Sequence, residues 1–175
     1  MDYYKTVFEV IDMRSFSNLW YWIMLAVVWS AASHRVLGVP FDLVQRAGHQ
    51  GGQFEIDMQD LVRINVRRIL MISGTSGMWL LGLACFALTV LALLGFLYSI
   101  EFAQAVFLIA LPMSLVGGLS IHAAQDIHSR GLIGAPLRKR LIVHRRITQV
   151  IGMVSILVTA FWGMYQNLSL GVLGG

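Results

Sequence analysis

Four stretches of the chain stay apolar for roughly 20 residues, the length of α-helix that crosses a ~30 Å hydrocarbon layer. They fall near residues 16–33, 69–99, 102–121 and 147–168. Between them lie two longer polar connections, 34–68 and 122–146, and one short turn around residues 99–101. The pattern predicts an all-α integral membrane protein: a bundle of four transmembrane helices forming a single domain over residues 1–175. Too few residues remain for a separate soluble domain.

Local signals sharpen the elements. Asp57 with Asp60 makes a variant of the capping box, and the run MQDLVRINVRRIL enters the second apolar stretch without Gly or Pro, so one helix is expected from about residue 58 to 98. Pro136 suits the first position of the last helix, where its missing N–H costs nothing. Trp20, Tyr21 and Trp22 at one end of the first run, and Trp162 with Tyr165 at the end of the last, suit interfacial aromatic belts. HRVLGVP after the first run and SRGLIGAP after the third share an Arg, Gly and Pro spacing. That similarity covers one turn only, so convergence on turn chemistry is favoured over a true repeat. Ser73 with Gly77, and Ser114 with Gly118, are small-residue pairs that suit close helix contacts.

Composition agrees: 57% of residues are hydrophobic, 13% are charged, and the mean hydropathy of +0.71 lies outside the range of soluble domains. A net charge of +4 would fit a nucleic-acid binder, but the distribution of the charges argues against one. Of 13 Lys and Arg, only Lys5 and Arg14 precede the first span. The rest lie in the two longer connections, from Arg35 to Arg68 and from Arg130 to Arg146. The positive-inside rule then puts both connections in the cytoplasm and both termini outside. Asp2, Glu9 and Asp12 ahead of the first run do not fit a cleaved signal peptide, so the first span is expected to be retained. Cys85, the one cysteine, sits mid-span and reads as a small packing residue.

Candidate chemistry gathers at the basic end. On a helical wheel Ser114, Gly118, His122, Gln125 and Ser129 share a sector, with Asp126 at its edge. His34 repeats that placement after Ala26 and Ser30, and His144 lies opposite the arginines of the last helix. Convergence of His34, His122 and His144, with Asp126 as a further ligand or partner, would suit haem, a metal or a quinone, because neutral imidazoles from facing helices hold such groups. The identity of any metal or cofactor stays open. Arg138, Lys139, Arg145 and Arg146 form a second candidate surface, for anionic lipid headgroups or an acidic partner. No HExxH, CxxC, phosphate loop or nucleophile elbow marks an enzyme, and the expectation is non-catalytic. The spans carry no charged residue in their central turns, which weakens a small-transporter reading.

The stretch MRSFSNLWYWIMLAVVWSAASHRVLGVP, residues 13–40, resembles small bacterial four-helix membrane proteins without assigned enzymatic activity, some of which are labelled components of the SufBCD iron–sulfur assembly complex. The resemblance implies a cytoplasmic membrane location and a cytosolic partner such as iron–sulfur assembly machinery. Together these readings point to an accessory, assembly or scaffolding subunit of a larger membrane complex, among other membrane subunits. A cofactor-binding redox subunit and a small transporter are the alternatives.

Overall fold

The computed structural model describes residue 16 and residues 18–173, with side chains as far as residue 168. Lys5 and Arg14, counted for the orientation, and Asp2, Glu9 and Asp12, which bear on a signal peptide, lie outside the described residues. The described chain is helical nearly throughout. Helix α1 (Leu19–His34) leads into strands β1 (Arg35–Val36) and β2 (Val39–Pro40). They are followed by α2 (Phe41–Gln50), α3 (Gln53–Ala92) with a π-helical turn at its end (Leu93–Leu97), α4 (Glu101–Arg130) and α5 (Gly134–Leu173). Three helices, α3, α4 and α5, are long and apolar enough to cross a membrane. Helix α1 is as apolar, but its 16 residues reach only about 24 Å.

Helix ends follow local chemistry more often than the sequence reading had it. Asn18 caps α1, its side chain accepting from the Trp20 amide at 3.0 Å. Helix α3 starts four residues before the expected cap: Gly52, at φ 55°, precedes its first residue, and Asp57 instead accepts a bond from the Gln53 side-chain Nε2 one turn back. Helix α5 begins at Gly134, so Pro136 falls within the first turn, where a missing N–H still leaves no bond broken. Gly131, in the left-handed region, closes α4.

The connection 34–68 is more structured than expected. Arg35 pairs with Pro40 and Val36 with Val39 in a two-residue antiparallel hairpin whose corner, Leu37 at φ 50° and Gly38 at φ 78°, has the positive dihedrals of a type I′ turn. Leu37 tolerates them because its side chain is buried. Gly38 is required twice over, by its φ and by Asn65, whose side-chain nitrogen would lie 3.0 Å from a Cβ there. The similar segment SRGLIGAP forms a helix stop and a helix start, with no hairpin. The two turns therefore fold differently.

Two cores result. At the basic end, Val36, Val39, Val44 and Ala47 meet Met58, Val62 and Val66 of α3, Ala123, Ala124 and Ile127 of α4, and Leu137 and Leu141 of α5. Their recurrence at intervals of three and four residues is that of helix faces turned to a shared centre. Farther along, Leu25 and Trp29 of α1 pack with Val116 of α4. Helix α5 carries its inward stripe through both: Leu137, Leu141, His144, Thr148, Gly152, Ser155, Thr159 and Gly163 are all buried. In the apolar part of α5 that stripe is small or hydroxylated while the outward face is Val, Ile, Leu and Phe. Such an inversion suits a helix whose outside meets lipid and whose inside meets close neighbours. Trp29 lies over Gly152 so tightly that a Cβ there would fall 2.8 Å from the indole, whereas Phe16 and Trp22 stand 3.4 Å from a Cβ at Gly163, at van der Waals distance.

Candidate functional site

The basic end is framed by ion pairs between sequence-distant elements. Glu55 of α3 accepts from Arg138 of α5 at 2.9 Å, with both side chains about three-quarters covered. Asp126 of α4 takes Arg140 of α5 at 2.8 Å and Arg130 of its own helix at 2.6 Å. Arg145 donates its Nε to the Ser33 carbonyl at 3.1 Å and lies 3.6 Å above the Phe41 ring, a cation–π contact. Helices α1, α2 and α5 are thereby tied at one level.

Of the histidines picked out by sequence, only His144 is buried. It precedes the apolar run that begins at Ile147. Its Nε2 lies 3.3 Å from Ser120 Oγ on α4. The Ser120 hydroxyl donates its single proton to the Val116 carbonyl at 2.8 Å, which leaves Nε2–H as the donor and fixes the neutral tautomer. Burial, reinforced by the positive charge of Arg140, holds the His144 pKa below its ordinary value. The imidazole edges a cleft of about 330 Å³ between α1, the hairpin and α3–α5, whose other walls include Ala31, Ile69, Met113, Val116 and Gly117.

The three-histidine convergence does not form. His34 and His122 are exposed, neither lines the cleft at His144, and no group of three metal-ligating side chains occurs among the described residues. Asp126 is engaged by arginines. The reason lies in which face of α4 is buried. Ser114, Gly118, His122, Gln125 and Ser129 all turn outward, while Val116, Ala123, Ala124 and Ile127 turn inward. A Cβ on Gly118 would meet nothing within 4 Å, and one on Gly77 only Ser73 of its own helix. The contacts assigned to those two small-residue pairs are made instead by the α5 stripe, whose 3–4 spacing was legible at Thr148, Gly152, Ser155, Thr159 and Gly163.

The expected basic face of α5 is also divided. Lys139 and Arg146 are exposed, whereas Arg138 and Arg145 are drawn inward by Glu55 and Ser33. Between α2 and α5 the side chains leave an open cleft of about 460 Å³, edged by Arg138, Arg145, Arg146 and His49, with Phe41, Val44 and Ile142 as its apolar part.

The opposite end is held by one buried amide that sequence reading missed. Gln104 of α4 donates to the Gly95 carbonyl at 2.8 Å and accepts from Trp162 Nε1 at 3.0 Å and Gln166 Nε2 at 2.6 Å, joining the π turn, α4 and α5. The aromatic belt is correspondingly split. Trp20 and Tyr165 are exposed, while Tyr21 bonds the Ala105 carbonyl and Trp22 the Phe16 carbonyl. No protein-family model, curated protein or solved structure matches the chain.

Proposed function

We propose that the chain is a four-span protein of the bacterial cytoplasmic membrane, with both termini outside and the basic end in the cytosol. In this reading it is a non-catalytic accessory or assembly subunit of a larger membrane complex. The observation that carries the accessory role is the uneven enclosure of the long helices. Of the most apolar 18-residue window of each, 6% is buried in α3, against 22% in α4 and 28% in α5. The same helix has Gly74 and Gly82 with no atom near their missing Cβ positions, beside the largely exposed Met78 and Trp79. Glycine on a bare helix face permits the close backbone approach by which membrane helices associate, so a partner's helix has a surface to meet. Charge supports the orientation, because the ion-paired basic collar lies at one end and the Gln104 end carries little charge.

The test is a photo-crosslinking residue at Trp79, followed by purification from native membranes in mild detergent and mass spectrometry. A crosslinked companion membrane protein is expected. Purification of the chain alone, with no adduct from position 79, would overturn the accessory role.

The His144 cleft favours a second reading, a subunit that binds a quinone. A neutral imidazole whose Nε2–H can turn from Ser120 to a carbonyl oxygen, beside Met113, Ile69 and Val116, combines a polar donor with an apolar wall for a ring. A soluble ubiquinone analogue that protects the protein thermally, with protection lost in His144→Ala, would support it. Equal protection of both proteins would sink it.

A further inference from the structure

The open cleft between α2 and α5 has the features of a binding site that neither the scaffold reading nor the His144 cleft uses. Its charge is uncompensated. Among the described residues no carboxylate lies within ion-pair distance of Arg145 or Arg146, although Arg138 in the same wall is paired with Glu55. The key cation is also held in advance. Arg145 is fixed by the Ser33 carbonyl through Nε and by the Phe41 ring beneath it, which leaves the donors of its two Nη nitrogens for another acceptor. A guanidinium so positioned forfeits little freedom when an oxyanion arrives.

The lining of the cleft selects the class of oxyanion. Its wall on α5 runs from Arg138 to Gln149, about 16 Å along the helix. It therefore passes from the ion-paired collar into the apolar run that begins at Ile147. Phe41, Val44 and Ile142 supply an apolar lining next to the arginines. A freely soluble phosphate has no use for that apolar part. A lipid carries a phosphate with acyl carbons attached, the pairing that the arginines and the adjoining Phe41, Val44 and Ile142 suit.

We propose that the α2–α5 cleft binds the phosphate of an anionic membrane lipid headgroup, with Arg145 and Arg146 as its ligands and His49 at its rim. The probes are phosphatidylglycerol, phosphatidylcholine with the same acyl chains, and inorganic phosphate, each added to the purified full chain in detergent and read by native mass spectrometry. Wild type is expected to retain phosphatidylglycerol in preference to zwitterionic phosphatidylcholine, and inorganic phosphate is not expected to displace it. Arg146→Gln should weaken retention roughly fivefold, and Arg145→Gln with Arg146→Gln by roughly twentyfold or more. Arg146→Lys should keep most of the binding. Arg63→Gln, which removes a surface charge on α3 outside the cleft, should leave retention unchanged. Because Arg145 also ties α1 to α5, Arg146→Gln is the decisive variant: it removes only an exposed side chain.

Three results would overturn the site: equal retention of the two lipids by wild type, wild-type retention by Arg146→Gln and the double variant, or displacement by inorganic phosphate at matched concentration. The last would assign the cleft to a soluble phosphate compound. Loss of a co-purifying acidic protein in Arg146→Gln, with lipid retention intact, would assign it to a protein partner and equally overturn the proposal.

Discussion

Gly152→Ala tests the packing of α1 on α5 with one methyl group. The new Cβ would fall 2.8 Å from Trp29 Cε3 and 3.1 Å from Cδ2, where carbon atoms in contact normally stand about 3.5–4.0 Å apart. Trp29 is 4% exposed and packed with Leu25 and Val116, so the indole has no free rotamer to move into and the helices must separate. Overpacking of this kind costs roughly 1–3 kcal/mol. Exchanging Gly for Ala in a helix also gains up to about 1 kcal/mol through backbone entropy, which would obscure a single measurement. Gly118→Ala provides the reference, since its Cβ meets nothing within 4 Å and it takes the same entropic gain. The difference between the two variants therefore isolates the clash, and about 1–3 kcal/mol is expected. Unfolding in mixed dodecylmaltoside and SDS micelles, followed by far-UV circular dichroism, measures it. Adding Trp29→Phe to Gly152→Ala removes the clashing ring edge and should return part of the loss. If Gly152→Ala is as stable as Gly118→Ala, α1 is not seated on α5 at this point and the packing argument fails.

Gln104→Leu deletes three hydrogen bonds that join the π turn, α4 and α5; at about 0.6 kcal/mol per bond in a membrane, roughly 2 kcal/mol should be lost in the same micelle titration. Asp126→Ala leaves Arg140, whose side chain is 21% exposed, without its carboxylate. A loss of about 1–2 kcal/mol is expected, between the values for exposed and buried pairs, and an unchanged midpoint would make the bridge incidental. His144 has a lowered pKa in the folded chain, so its contribution is complete above the ordinary histidine value of 6.5. As pH falls below that value the unfolded chain takes up the proton first, and stability should decline. His144→Gln should flatten that part of the profile, and a parallel profile would remove His144 as its cause. For orientation, a cysteine replacing Gln50 in a Cys85→Ser background should react with a membrane-impermeant maleimide only after the cells are opened; labelling of intact cells would invert the topology.

The long helices were legible because their signal is cumulative: runs such as residues 69–99 remain apolar through every local exception. The connection 34–68 was legible in charge but not in shape. Its corner depends on Leu37 adopting a dihedral that no residue-type preference announces, and the core beneath it draws residues from six elements. The azimuth of α4 failed for a different reason. Ser114, Gly118 and His122 form as regular a small and polar stripe as the one on α5, and a pattern on one helix does not say which neighbour fills it. What separates the two stripes is the bulk opposite: Trp29, Phe16 and Trp22 occupy the glycines of α5, while Gly118 has no such complement. The histidine convergence depended on that azimuth and fell with it. Gln104 was overlooked because a single amide in an apolar run has no period at all, and its importance comes only from the carbonyl and indole brought to it.

Pro112 interrupts α4 in the middle of its apolar stretch, and its missing N–H deprives the Leu108 carbonyl of its usual partner. Ser155 of α5 sends its hydroxyl to that carbonyl across 3.4 Å, as neighbouring helices do for a proline in lipid. The two residues are thus conditional on each other. Serine matters only while proline is there, and replacing Pro112 by Ala should make Ser155→Ala nearly silent. Among related chains, therefore, a sequence that loses this proline should be free to lose the serine 43 positions later, a paired inheritance that would reveal the α4–α5 contact with no coordinates at all.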